Sequence, residues 1–197
     1  RQIAESCDWP CEITRFYSDI NLGCAKRVSS GVTAVFEQVE RAIILEDDCV
    51  PNQTFFRFCS ELLERYQDDT RVMAISGDNF QLDNDNAADS YYFSKYLHCW
   101  GWATWRRAWK HYEETLAAWP DFRDSEDLAA LCHSLREQDY WTRIFNRVYA
   151  GEIDTWDFTW LLACWMNHGL TVLPTKNLVS NIGFGENATH TSNPSLF

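Results

Sequence analysis

Three adjacent carboxylates follow a short apolar run in the first quarter of the chain. Residues 42–51 read Ala-Ile-Ile-Leu-Glu-Asp-Asp-Cys-Val-Pro. The apolar run predicts a strand buried on both faces, as in a parallel sheet, and open α/β sheets bind ligands at the carboxyl ends of such strands. Because Glu46, Asp47 and Asp48 repel one another, we expect a divalent cation with oxygen ligands beside them. A solvated acidic turn is the alternative, which the buried strand and the proline disfavour.

Two polar residues later in the chain could join this chemistry. Asp157 lies between Trp156 and Phe158 at a predicted helix start, where the exclusion of water favours a carboxylate as a general base. A helix N-cap is the equally weighted alternative for this residue. His190 lies in a polar C-terminal stretch, and an imidazole there can complete the coordination of a carboxylate-bound Mn²⁺. A solvated histidine is the alternative.

The elements that must hold these residues alternate between strand and helix in the first half of the chain. Strands are predicted over residues 12–17, 43–45 and 71–76, a helix over 25–40, and a second helix capped by Thr54. Connections of this length predict parallel strands with right-handed crossovers. The expected fold is therefore α/β, with a doubly wound, mostly parallel sheet and flanking helices.

The second half of the chain is richer in aromatic residues and in predicted helices. Residues 91–93 predict a strand, and residues 100–105 lead into an amphipathic helix that ends near residue 116. Further helices are predicted over 126–135, 140–149 and 158–167. We expect most of the ten tryptophans to pack in the core, although their flat faces can also stack on sugar rings.

The predicted order of elements begins one unit late for a doubly wound sheet. Residues 12–17 would form the first strand, with nothing before it to complete the usual nucleotide-binding unit. We therefore expect residues 1–197 to form a single domain that lacks its first βα unit. An exposed edge or groove should lie beside residues 12–17.

Charge and composition exclude several classes of partner. A net charge of −12 argues against nucleic acid, since binding to its backbone requires clustered Lys and Arg. No apolar run reaches the roughly 20 residues of a membrane-spanning helix, so no transmembrane segment is expected. Most of the eight cysteines are scattered among apolar residues, which indicates a reducing, cytoplasmic location.

The motifs together resemble a known family. An apolar strand that ends in Glu46-Asp47-Asp48, a Trp-Gly-Trp segment at residues 100–102, Asp157 after a tryptophan, and a late His190 occur in this order. Over its whole length the chain resembles nucleotide-sugar-dependent glycosyltransferases of the GT-A fold. It is most similar to bacterial family-2-like glycosyltransferase and sugar-transferase domains, and more distantly to the N-acetylglucosaminyltransferase I type.

The resemblance implies a role for each of these residues. Asp48 would bind Mn²⁺ or Mg²⁺ directly, Glu46 and Asp47 would lie nearer the ribose and sugar of the donor, and Asp157 would be the catalytic base. His190 would contact the metal or the diphosphate. The implied activity is transfer of a hexosyl or N-acetylhexosaminyl group from a nucleotide-diphosphate sugar, most often a UDP-sugar, to a hydroxyl of a saccharide or other acceptor, with inversion. A divalent-cation-dependent carbohydrate-binding domain without catalysis and a nucleotidyltransferase remain as alternatives.

Overall fold

A computed structural model describes residue 7, residues 9–81 and residues 89–183 of the chain. The strands of this part are β1 (Arg41–Ile44), β2 (Cys49–Pro51), β3 (Val72–Ser76), β4 (Tyr91–Ser94), β5 (Trp102–Trp105), β6 (Leu170–Pro174) and β7 (Val179–Asn181). The helices are α1 (Cys24–Phe36), α2 (Gln53–Arg65), α3 (Arg106–Trp109), α4 (Trp119–Arg123), α5 (Glu126–Leu131), α6 (Leu135–Tyr149) and α7 (Asp157–Met166). None of these helices combines the length and the apolar character that crossing a bilayer requires.

Five strands form one sheet in the order β1-β5-β3-β6-β4, and β2 pairs with β7 in a separate antiparallel ribbon. Within the larger sheet β3 and β6 are parallel, whereas β1 with β5, β5 with β3, and β6 with β4 are antiparallel. The α/β class is confirmed, but the expectation of a mostly parallel sheet is wrong because antiparallel β5 separates β1 from β3.

The sequence predicted no strand at residues 102–105, and the helix expected to run from there to about residue 116 is much shorter than predicted. Residues 102–105 form β5, and the helix that follows, α3, covers only Arg106–Trp109. Trp102, Thr104 and Trp105 are buried, and the Thr104 hydroxyl donates a hydrogen bond to the Met73 carbonyl of the neighbouring strand. A strand covered on both faces shows no alternation of polar and apolar residues, so its sequence pattern resembles that of a buried helix segment.

Three expectations for the first half of the chain need correction. Residues 12–17 have no regular secondary structure, and their apolar side chains Ile13 and Phe16 are exposed, so the predicted edge strand is absent there. The larger sheet ends instead at β1, which is half-buried rather than buried on both faces. The N-cap of α2 is Asn52 and not Thr54, because the Asn52 side chain accepts the Phe55 amide.

The core lies on both faces of the sheet. On one face α1, α3 and α7 pack around a tryptophan cluster that contains Trp102, Trp109, Trp156 and Trp160. On the other face the apolar side of α2 packs against Ala103 and Trp105 of β5 and against β3. A third cluster joins α4, α5, α6 and α7. Residue 102 and residue 103 face opposite sides, as the period of a strand requires.

Candidate functional site

A cleft of about 870 Å³ opens beyond the carboxyl end of β1. Its walls come from the start of α1, from residues 46–49 and from residues 153–158 at the start of α7. Cys99 and Trp100 close one side of it. Glu46, Asp47, Asp48 and Asp157 all line this cleft, although Asp157 is far from the other three in sequence. The fold therefore brings together the acids that the sequence singled out in two separate segments.

Glu46 is the most perturbed carboxyl group of the cleft. Burial is the largest cause that raises the pKa of Glu46 from 4.5 to about 7, and the negative charges of Asp48, Asp157 and Asp47 contribute to the same shift. A hydrogen bond with the Trp156 side chain opposes the shift. Such a pKa means that both protonation states of Glu46 are populated near neutrality. A cation placed in the cleft would favour the ionised form.

The Asp48 side chain and backbone are in contact with the next residue and with the segment that follows β7. The Cys49 thiol donates a hydrogen bond of 3.5 Å to Asp48 Oδ1, and the Ile182 amide donates to the Asp48 carbonyl at 2.9 Å. A Cβ atom at Gly183 would lie only 2.3 Å from Asp48 Oδ2, so glycine is required for this close approach. The Asp48 carboxylate thus lies between the end of β1 and the chain that leaves β7.

The two carboxylate oxygens of Asp157 have different surroundings. Oδ1 accepts hydrogen bonds from the Thr155 hydroxyl and, at 2.8 Å, from the Phe158 amide. Oδ2 has a weak contact of 3.9 Å with the thiol of Cys99, another residue of the cleft. The N-cap position itself belongs to Trp156, and no side chain caps α7 there. One oxygen of Asp157 therefore orients the carboxylate, and the other remains available to the cleft.

His190 lies outside the described residues, so its predicted contact with a metal or diphosphate is not addressed by the geometry. Within residues 9–81 and 89–183, no three His, Cys, Asp or Glu side chains converge in an arrangement that could hold a metal ion by themselves.

Most tryptophans are buried in the core as expected. Trp100 instead lines the cleft, and its ring meets the ring of Phe80 in an edge-to-face contact.

Three thiols in the cleft were missed by the sequence reasoning. Cys24, Cys49 and Cys99 line it. Burial, followed by the nearby carboxylates, raises the pKa of Cys24 to about 11. Burial also raises the pKa of Cys49 to about 12, and burial and Asp157 raise that of Cys99 well above its usual range. These raised pKa values favour the neutral thiols at physiological pH. The sequence offered a signal for Cys49, because this residue directly follows the acids at residues 46–48.

The backbone of Trp100, which lines the cleft, is hydrogen-bonded to a buried acid, Asp78, that the sequence reasoning also missed. Asp78 Oδ1 accepts the Trp100 amide at 3.2 Å, and Asp78 Oδ2 lies 3.4 Å from His98 Nδ1. The Ser76 hydroxyl donates to the His98 carbonyl at 2.6 Å. Burial raises the pKa of Asp78, although His98 opposes this shift. The available signal was that Asp78 follows the predicted strand at residues 71–76, where ligand-binding residues of α/β sheets are found.

Comparison with known families gives no further assignment. No protein-family model matches this sequence, and no curated protein matches it significantly.

Proposed function

We propose that this chain is a metal-dependent glycosyltransferase with a GT-A-like fold. In this proposal it moves a sugar from a nucleotide-diphosphate sugar, in the first instance a UDP-sugar, to a hydroxyl of a saccharide or other acceptor. The observation that carries the proposal is the meeting of Glu46, Asp47, Asp48 and Asp157 in one cleft. A cleft of about 870 Å³ lined by these acids could take a substrate that carries its own phosphates and metal.

The chemistry of the cleft suits Mn²⁺ or Mg²⁺. Both ions prefer oxygen ligands, and Mg²⁺ is commonly held by one or two carboxylates together with substrate phosphates. Three protein ligands are therefore not required. After burial, the charges of Asp48, Asp157 and Asp47 contribute to the raised pKa of Glu46, and a bound cation would relieve this repulsion. Asp48 would hold the ion, with His190 as a further ligand, and the bound ion would neutralise charge on the departing nucleoside diphosphate.

The side chains of the chain itself would carry the proton and orient the substrates. The acceptor oxygen forms a bond to the anomeric carbon while the bond from that carbon to the diphosphate breaks, and the acceptor proton passes to Asp157. Oδ2 of Asp157 suits this role because Oδ1 is already engaged by Thr155 and Phe158. Glu46 and Asp47 would lie nearer the ribose and sugar of the donor. A single base opposite the leaving group implies one displacement and inversion.

The test combines ligand binding with detection of products. Thermal shifts are measured with UDP, UDP-glucose and UDP-N-acetylglucosamine, each with and without Mn²⁺, because a ligand of the native state raises the melting temperature. Release of UDP from the nucleotide sugars is then measured, with Asp48→Asn as the matched variant. Stabilisation that requires both nucleotide and Mn²⁺, with UDP release that Asp48→Asn abolishes, is the expected result.

Other outcomes would identify the alternatives. Saturable sugar binding in the presence of Mn²⁺ without UDP release would support a carbohydrate-binding domain. Pyrophosphate release from a nucleoside triphosphate would support a nucleotidyltransferase. Either result, or the lack of any metal-dependent stabilisation, would overturn the glycosyltransferase proposal.

A further inference from the structure

We infer that Asp154 is a positioning residue, which sets the place of Asp157 in the cleft by fastening the start of α7 to the start of α1. The inference rests on the proposed function, because the role of Asp157 as a base belongs to that proposal. Its structural basis is a bidentate contact between the Asp154 carboxylate and two backbone amides of another segment. The contact joins two walls of the cleft.

The amides belong to the first turn of α1. Asp154 Oδ2 accepts from the Cys24 amide at 2.9 Å, and Oδ1 accepts from the Ala25 amide at 3.3 Å. The N-cap of α1 is Gly23, which has no side chain to accept these amides, and the first turn of α1 contains no acidic residue. Helix amides at this end lack partners within the helix and favour negative charge. Asp154 therefore supplies from a distant segment the cap that α1 lacks.

The backbone at Gly23 is shaped for this contact. Gly23 has φ +77°, and a Cβ atom there would lie 2.6 Å from Asp154 Oδ2. Glycine is thus required both for the left-handed conformation and for the approach of the carboxylate. The Asn21 side chain accepts the Gly23 amide at 2.9 Å and fixes the turn before the helix. The turn before α1 therefore leaves space for the Asp154 carboxylate.

The same contact determines where Asp157 lies. Cys24 and Arg27 line one wall of the cleft, and Thr155 and Asp157 line the adjoining wall. Thr155, next to Asp154, donates its hydroxyl to Asp157 Oδ1. Loss of the Asp154 contact would release this segment from α1 and let the Asp157 carboxylate move. A displacement of about 1 Å in an active site can cost about a hundredfold in rate.

The kinetic test compares Asp154→Ala with a matched control. Glu113 also binds two backbone amides through its carboxylate, those of Thr115 and Ala117, and it does not line the cleft. Asp154→Ala should lower kcat at least tenfold with the donor KM within twofold of wild type. Asp154→Asn, which keeps one acceptor oxygen, should recover part of the loss, whereas Glu113→Ala should leave kcat within twofold.

A structural measurement does not depend on turnover. Hydrogen exchange followed by NMR should show loss of protection at the Cys24 amide and also at the Phe158 amide, which is bound to Asp157, in Asp154→Ala but not in Glu113→Ala. If Asp154→Ala does not fold, Asp154→Asn, which keeps only one acceptor oxygen, should give the same pattern in weaker form. If the wild type shows no transferase activity, the proposed function fails, and the Phe158 amide alone decides the inference. An unchanged kcat in folded Asp154→Ala, or exchange changes confined to the start of α1, would overturn it.

Discussion

The charge state of Glu46 makes the stability of the protein depend on pH in a defined direction. Its pKa in the folded state is about 7, compared with 4.5 in the unfolded chain, because burial and the charges of Asp48, Asp157 and Asp47 disfavour ionisation. Between these two values the folded state binds more protons than the unfolded state, so the free energy of unfolding falls as pH rises. The full loss is reached above pH 7, where Glu46 is ionised in both states.

Substitution of Glu46 by glutamine removes this effect. A pKa difference of this size corresponds to about 3 kcal/mol, and solvent screening at a half-buried side chain reduces it to about 1 to 2 kcal/mol. Glu46→Gln should therefore unfold at a higher temperature than wild type at pH 8, by about 2 to 8 °C for a chain of this length. At pH 5 the difference should be clearly smaller, because most of the change in charge of the folded-state Glu46 takes place above that pH.

The assay is thermal or urea unfolding of both proteins from pH 4.5 to 8.5, without divalent metal. Glu12→Gln serves as the control, because Glu12 is exposed and lies outside the cleft. A stability difference between Glu46→Gln and wild type that is the same at pH 5 and pH 8 would refute the reasoning. So would a Glu46→Gln variant that is less stable than wild type at pH 8, since glutamine would then have removed a favourable interaction.

Three further outcomes are expected. Asp48→Asn should abolish binding of Mn²⁺, measured by calorimetry, while the circular dichroism spectrum stays that of wild type; retained wild-type affinity would remove Asp48 as a ligand. Asp157→Asn should lower turnover by at least about a hundredfold with little change in donor affinity, and turnover within a few-fold of wild type would exclude Asp157 as the base. Glu137 is held by Lys95 and the Tyr96 hydroxyl, which outweigh burial and lower its pKa to about 2. Glu137→Gln should therefore reduce the free energy of unfolding by about 1 to 3 kcal/mol at pH 7. That difference in the free energy of unfolding should disappear as pH falls from about 4.5 toward 2. It can be measured by urea unfolding at constant ionic strength, and a difference that does not change with pH would contradict the prediction.

Elements with strong local signals could be predicted from the sequence. The helix at residues 25–40, the helix predicted with Thr54 as its cap, and the strand at residues 71–76 are found close to their predicted places as α1, α2 and β3, although the cap of α2 is Asn52. The signal of both helices is amphipathic spacing, which acts within a few residues. β5 was not predicted, because it is buried by α2 on one face and by the tryptophan cluster on the other, and neither neighbour is visible locally. The exposed alternation at residues 12–17 predicted a strand that has no partner among the described residues.

The candidate site shows the same division between local and distant causes. The acids at residues 46–48 and Asp157 could be selected because each follows or begins a recognisable element, and the structure places them around one cleft. The repulsion of Glu46 by Asp48 and Asp47 could be predicted from their adjacency, but the contributions of burial and of Asp157 to the raised pKa of Glu46 could not, because only the folded chain supplies them. Asp154 gave no signal either. Its partners are the amides of Cys24 and Ala25, and backbone groups carry no side-chain pattern.

The cleft exists only when two distant parts of the chain have come together. The acids at residues 46–48 follow β1, whereas Asp157 begins α7, and both segments line the cleft. A cation that needs both segments binds the native state and not the unfolded chain. Its binding would therefore raise the free energy of unfolding in proportion to the logarithm of the cation concentration, once that concentration exceeds the dissociation constant.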